Sequence, residues 1–151
     1  MDTIKELREE TGLSFAQIKK ALDEANGDKD KAREILSQYS AAQAEKKSDR
    51  EVAAGAVAAY IHTNGTTGVL LELGCETDFV AKNEEFIALA KDLSMHVCAM
   101  APETVEGEDE TALLKQSFIK DPEMTVEGRI QAAIQKFGEN IKVVKFTRYS
   151  I

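Results

Sequence analysis

The sequence predicts an α+β protein: an N-terminal three-helix bundle, then a small antiparallel three-stranded sheet with packed helices. Three observations lead there. Apolar residues recur at helical spacing over about the first forty positions. Two strand-like runs, 57–61 and 69–75, flank Asn64-Gly65-Thr66-Thr67-Gly68, whose residues tolerate positive φ and suit a hairpin. A β-branched and aromatic run, Ile141 to Tyr149, closes the chain after two long helical patterns.

The elements follow in order. Thr3 with Glu6 and Ser14 with Gln17 have capping-box spacing, so each predicts a helix start. Ile4, Leu7 and Arg8 fill the first helix, and Gly12 can end it in a left-handed conformation. Phe15, Ile18, Leu22 and Ala25 make the stripe of the second. After the Asn26-Gly27-Asp28 turn, Ala32, Ile35, Leu36 and Tyr39 make that of the third. Ser40 to Arg50 is polar and alanine-rich, and is expected to continue the third helix as an exposed linker that frays.

Val57, Ala59 and Ile61 alternate with Ala58, Tyr60 and His62. On the returning strand Val69, Leu71, Leu73 and Cys75 share one face. Asn83 can cap a helix whose apolar face is Phe86, Ala90, Leu93, Val97 and Met100, with Pro102 beyond its end. Glu103 to Glu110 reads as an acidic, mobile loop, 111–116 as a possible short helix, and Phe118 with Ile119 as an anchor. Thr125 can cap a last helix carrying Val126, Ile130, Ala133, Ile134 and Phe137, closed by Gly138. In the final strand the alternation slips at Val143-Val144, the mark of a bulge. The expected organisation is 1–39 as the three-helix domain, 40–50 as the linker and 51–151 as a single α+β module.

With 151 residues and 43% hydrophobic content the chain can build a core, and its net charge of −8 argues against nucleic-acid binding. The run from Val52 to Ile61 is too short and alanine-rich to span a bilayer, and no cationic-then-apolar leader opens the chain. Cys75 and Cys98 lack metal-ligand spacing and read as buried free thiols in a reducing cytosol. No phosphate-binding G-x-x-x-x-G-K-[S/T] loop, nucleophile elbow or H-E-x-x-H helix occurs, so no catalytic residue, metal or cofactor is expected. His62, beside a turn, and His96, within a helix, read as surface or rim residues. Cys75 among apolar neighbours reads as an inert, protonated thiol, and 29–34 as a solvated helix face.

Thr77-Asp78-Phe79-Val80-Ala81-Lys82-Asn83 stands where a strand becomes a helix, a position that often carries binding residues. Position alone favours Phe79 as a core residue at the foot of the helix and Asp78 as its cap. Gly74 to Asn83, however, resembles the signature of the bacterial elongation factor Ts family, the guanine-nucleotide exchange factors of elongation factor Tu. Leu7-Arg8-Glu9-Glu10-Thr11-Gly12, Lys19-Lys20-Ala21-Leu22, Glu24-Ala25-Asn26-Gly27-Asp28 and Lys136-Phe137-Gly138-Glu139-Asn140-Ile141 extend the resemblance, in the family's order, over nearly the whole chain.

The resemblance implies a fold and a role. The N-terminal bundle is similar to the ubiquitin-associated type. Residues Thr77 to Asn83 would contact the GTPase, with Asp78 and Phe79 disturbing the groups that hold magnesium and the β-phosphate of GDP. Arg8, Phe15, Ala16 and Lys19 would form a second handle, although Phe15 and Ala16, followed by Gln17-Ile18, depart from the family's usual Met-like residues followed by Asp-Cys. Helical spacing equally allows Phe15 a place in the bundle core. The chain has room for one core half-module and none for a coiled-coil excursion, so the resemblance implies a homodimer with sheet or helix faces buried at a two-fold, the alternative being a monomer whose sheet is adequately covered. It further implies a cytoplasmic translation factor that is not an enzyme and binds neither nucleotide nor membrane. Two rival readings stand beside this one: a non-exchanging interaction module that uses the N-terminal bundle, and a thiol or histidine hydrolase, which no constellation of residues favours.

Overall fold

The computed structural model describes residues 2–151. Helices α1 (Asp2–Thr11), α2 (Phe15–Glu24) and α3 (Lys29–Lys47) come first, then strands β1 (Ala54–Ile61) and β2 (Thr67–Cys75). The short helix α4 (Asp78–Ala81) and the long α5 (Glu84–Met100) follow. A single 3-10 turn (Leu113–Lys115), the strands β3 (Ser117–Phe118) and β4 (Asp121–Thr125), helix α6 (Val126–Phe137) and strand β5 (Lys142–Ser150) complete the chain. The main sheet has the order β1-β2-β5, antiparallel throughout, so the class is the expected α+β.

Local chemistry accounts for most boundaries. Ser14 and Gln17 form a reciprocal capping box at α2, Asp28 caps α3, Asn83 caps α5 and Thr125 caps α6. Gly12 (φ +70°) and Gly138 (φ +72°) end α1 and α6 in the left-handed region, which a residue with a Cβ enters only at a cost. Thr3 is not a cap, because the helix already includes Asp2.

Leu7, Leu13, Ile18, Ala21, Ala25, Ala32 and Leu36 form a small core of their own among the first three helices. Phe15 stays out of it, 49% exposed. Charged residues expected only to be solvated tie α3 to α1 at the surface: Arg33 bonds Glu10 through two nitrogens at 2.8 and 2.9 Å, and Lys29 pairs with Glu6. The larger core lies between the sheet and its helices, with Val69, Leu71, Leu73 and Cys75 from β2 facing Phe86, Leu89, Leu93 and Val97 of α5. Met100, expected on that face, is exposed at the C-terminal end of α5.

The elements also differ from expectation in two places. The tail of α3 is helical, but Ser40 and Ala44 are buried, and Ala44 joins the larger core as α3 packs on α6. A stripe of one small residue per turn, Ser40 then Ala44, is too weak a hydrophobic signal to read. The strands β3 and β4 were not foreseen, since two residues on one side and a Pro-containing edge on the other carry almost no period-2 signal. The acidic segment is a loop, as expected, closed at its base where Glu103 N–H donates to Thr111 O at 2.8 Å and Leu113 N–H to Thr104 O at 2.8 Å. The slip at Val143-Val144 is a bulge: Leu73 pairs with Val143 and Glu72 with Lys145, which leaves Val144 without a partner.

Candidate functional site

The β2–α5 junction begins with a change of solvent contact. Cys75 is the last fully buried residue of β2, and Thr77, Asp78 and Phe79 are all exposed. Phe79 is 87% exposed, so it is not a core residue. Asp78 is not the cap either. Thr77 is, its Oγ1 accepting from Val80 N–H, and the single turn of α4 places Val80 and Ala81 inward and Phe79 outward. Lys82 and Asn83 are exposed, and Asn83 Oδ1 accepts from Glu85 N–H at 2.8 Å to start α5. Burying a Phe side chain that stands almost wholly in water would favour association by about 1.5–3 kcal/mol.

A four-residue helix cannot hold itself. It is braced from 62 positions away. Glu139 Oε1 accepts from Thr77 N–H at 3.0 Å and Glu76 N–H at 3.1 Å, and its Oε2 accepts from the Thr77 hydroxyl at 2.7 Å. In return Glu76 Oε2 accepts from Asn140 N–H at 2.8 Å, while Asn140 Nδ2 donates to Arg50 O at 2.8 Å. Arg50 adds an ion pair to Glu76 at 3.5 Å. Glu76, Glu139 and Asn140 lie inside segments quoted from the sequence, but nothing local to either segment signals that they meet.

The handle residues Arg8, Phe15, Ala16 and Lys19 are all exposed. Phe15, Ala16 and Lys19 share one face of α2 by their three- and four-residue spacing. The Lys136 stem lies over Gly12, where a Cβ would come within 2.9 Å of it, and its ammonium pairs with Glu85.

The remaining reactive side chains are accounted for. Burial, then the Glu139 carboxylate, pushes the Cys75 thiol above its ordinary value, and its S–H donates to Thr77 O. Cys98 is also buried and free. His96 is not a rim residue. It is fully buried, bonded to Gln116 Oε1 at 3.0 Å and accepting from Ile119 N–H at 3.1 Å, while His62 is exposed beside the Tyr60 hydroxyl. Its buried place depends on β3 and β4, the part of the fold the sequence hid. Among the described residues no helix is long and apolar enough to cross a membrane.

The family model described as Elongation factor TS matches residues 5–109. Elongation factor Ts of Thermotoga maritima is 41% identical over 189 residues, covering 100% of this chain and 95% of that protein. That of Thermosipho melanesiensis is 39% identical over 188 residues, covering 98% and 96%, and that of Carboxydothermus hydrogenoformans is 39% identical over 188, covering 98% and 87%. These alignments are longer than the chain's 151 residues, so the relatives carry segments that it lacks. By the family match and by relatives aligned over nearly its full length, the chain belongs to the elongation factor Ts family.

Proposed function

We propose that the protein is a guanine-nucleotide exchange factor: it binds elongation factor Tu·GDP and promotes GDP release during translation elongation. The observation that carries this reading is Phe79, 87% exposed on a braced turn within the matched segment. Thr77 to Asn83 form the contact, with Asp78 and Phe79 reaching the magnesium and phosphate site of the GTPase. Arg8, Phe15, Ala16 and Lys19 form a second handle. The protein works by binding alone and is not an enzyme. A partner that prefers the nucleotide-free GTPase weakens nucleotide binding by the same factor. Burial of Phe79 only in that complex would supply about 1.5–3 kcal/mol, or roughly 10- to 150-fold.

The organisation that serves this function is a domain over 1–39, a helical connection over 40–50 and a core over 51–151 that pairs with a second copy. Supporting the homodimer, Val57 and Ile61 (70% and 67% exposed), Leu70 (54%) and Tyr149 (71%) share the outer face of the sheet. On the same face Glu72 lies opposite Lys145, so the surface offers both charges to a two-fold mate. The site of action is the cytoplasm.

The test is stopped-flow release of a fluorescent GDP analogue from elongation factor Tu, chased with unlabelled GDP. Wild type is expected to accelerate release and Phe79→Ala to lose most of that effect. A folded wild type without effect would refute exchange. The small separate core of the first three helices supports a second reading, an interaction module without exchange. Capture of partners through those helices, and never of the GTPase, would favour it.

A further inference from the structure

We propose that Glu139 is a positioning residue for nucleotide exchange, holding the Phe79 turn at a fixed angle through Thr77. The inference rests on the exchange reading above and names a residue outside the contact segment. Phe79 makes no buried packing that could orient it, since 87% of it is in water. Its orientation comes from the inward packing of Val80 and Ala81 and from the ends of α4. One end is the Thr77 hydroxyl, which accepts from Val80 N–H and donates to Glu139 Oε2 at 2.7 Å. The same carboxylate takes the two preceding backbone N–H groups, at 3.0 and 3.1 Å. Hydrogen bonds to an ionised acceptor are shorter and stronger than neutral ones. Three of them on residues 76 and 77 leave the chain little freedom two residues before Phe79.

Glu139 is itself fixed. Gly138 turns the chain out of α6 in the left-handed region (φ +72°), and its N–H donates to Ile134 O at 2.8 Å. Asn140, buried, anchors the far side by donating its N–H to Glu76 Oε2 and its amide to Arg50 O. The clasp is therefore reciprocal: each of two glutamates caps the backbone beside the other. A helix end 62 positions away thereby sets the direction of the exposed aromatic.

The chain contains no tryptophan, so Phe79→Trp makes the turn report on itself. Fluorescence anisotropy of that indole, read in a Phe79→Trp background with and without Glu139→Ala, Glu139→Gln or Thr77→Val, measures the freedom of the turn without any partner. GDP release is measured separately with residue 79 unchanged, as maximal rate against half-saturating concentration. The expected result is lower anisotropy in every clasp variant at unchanged far-UV circular dichroism. The maximal release rate falls about tenfold with half-saturation within about threefold, because positioning is lost rather than contact. Glu139→Gln, which keeps one oxygen acceptor, retains more rate than Glu139→Ala. Unchanged anisotropy in folded variants would overturn the proposal, as would lower anisotropy with an undiminished maximal rate. Failure of the wild type itself to release GDP would instead refute the exchange reading, and is recognisable because it does not depend on residue 139.

Discussion

His96 makes a buried, titratable test of how the β3–β4 segment is held to α5. Its Nδ1 accepts from Ile119 N–H at 3.1 Å, so the ring proton sits on Nε2 and is donated to Gln116 Oε1 at 3.0 Å. The ring stacks on Phe118 with centroids 6.0 Å apart. Burial holds the imidazole below its ordinary value of 6.5, against a smaller opposing effect of Gln116. The sign follows. Well above pH 6.5 neither the folded nor the unfolded chain protonates His96, and stability does not depend on it. Below that pH the unfolded chain takes up a proton that the fold refuses. Stability then falls, by at most about 1.4 kcal/mol per pH unit, until the folded ring itself protonates.

Replacing the ring separates hydrogen bonding from titration. His96→Ala leaves the Ile119 N–H without its acceptor and opens a cavity beside Phe118, at a cost of about 2–4 kcal/mol. His96→Asn places an oxygen near the Nδ1 position, keeps that acceptor, and cannot titrate. Urea unfolding from pH 7.5 down to 5.5 should therefore show a steeper loss in wild type than in His96→Asn. The carboxylates titrate alike in both and cancel in the difference. Parallel curves for the two proteins would refute the buried, neutral assignment.

Further outcomes follow from other sites. Phe79→Ala should leave thermal stability within about 0.5 kcal/mol of wild type while impairing GDP release, because a side chain 87% exposed contributes little to the fold. Gly12→Ala must force a Cβ into the left-handed region and against the Lys136 stem, so thermal unfolding should register a loss of about 1–2 kcal/mol. Val57→Lys with Ile61→Lys should shift the sedimentation coefficient to that of a monomer if a second copy covers the outer sheet face. An unchanged coefficient equal to that of a dimer would move the interface elsewhere.

The sequence by itself determined the elements with strong periodicity or strong turn chemistry. Ser14, Asn83 and Thr125 announced helix starts because a cap is a contact between residues two or three positions apart. The face of Val69, Leu71, Leu73 and Cys75 was legible because strand alternation is local, and even the bulge left its mark as a slip in phase. Family membership was legible in three ordered motifs.

Only the tertiary structure decided what depends on residues far apart in the chain. Phe79 could have stood at the foot of a helix in the core or in water, and its burial depended on how α4 is turned, which Glu139 and the inward Val80 and Ala81 decide. His96 looked peripheral because the strands that bury it are too short to carry a pattern. Ser40 and Ala44 looked exposed because α6, which covers them, lies some ninety positions later. The physical reason is common to all three: propensity and periodicity act over one or two turns, whereas burial and side-chain clasps are fixed by which distant surface closes over a residue.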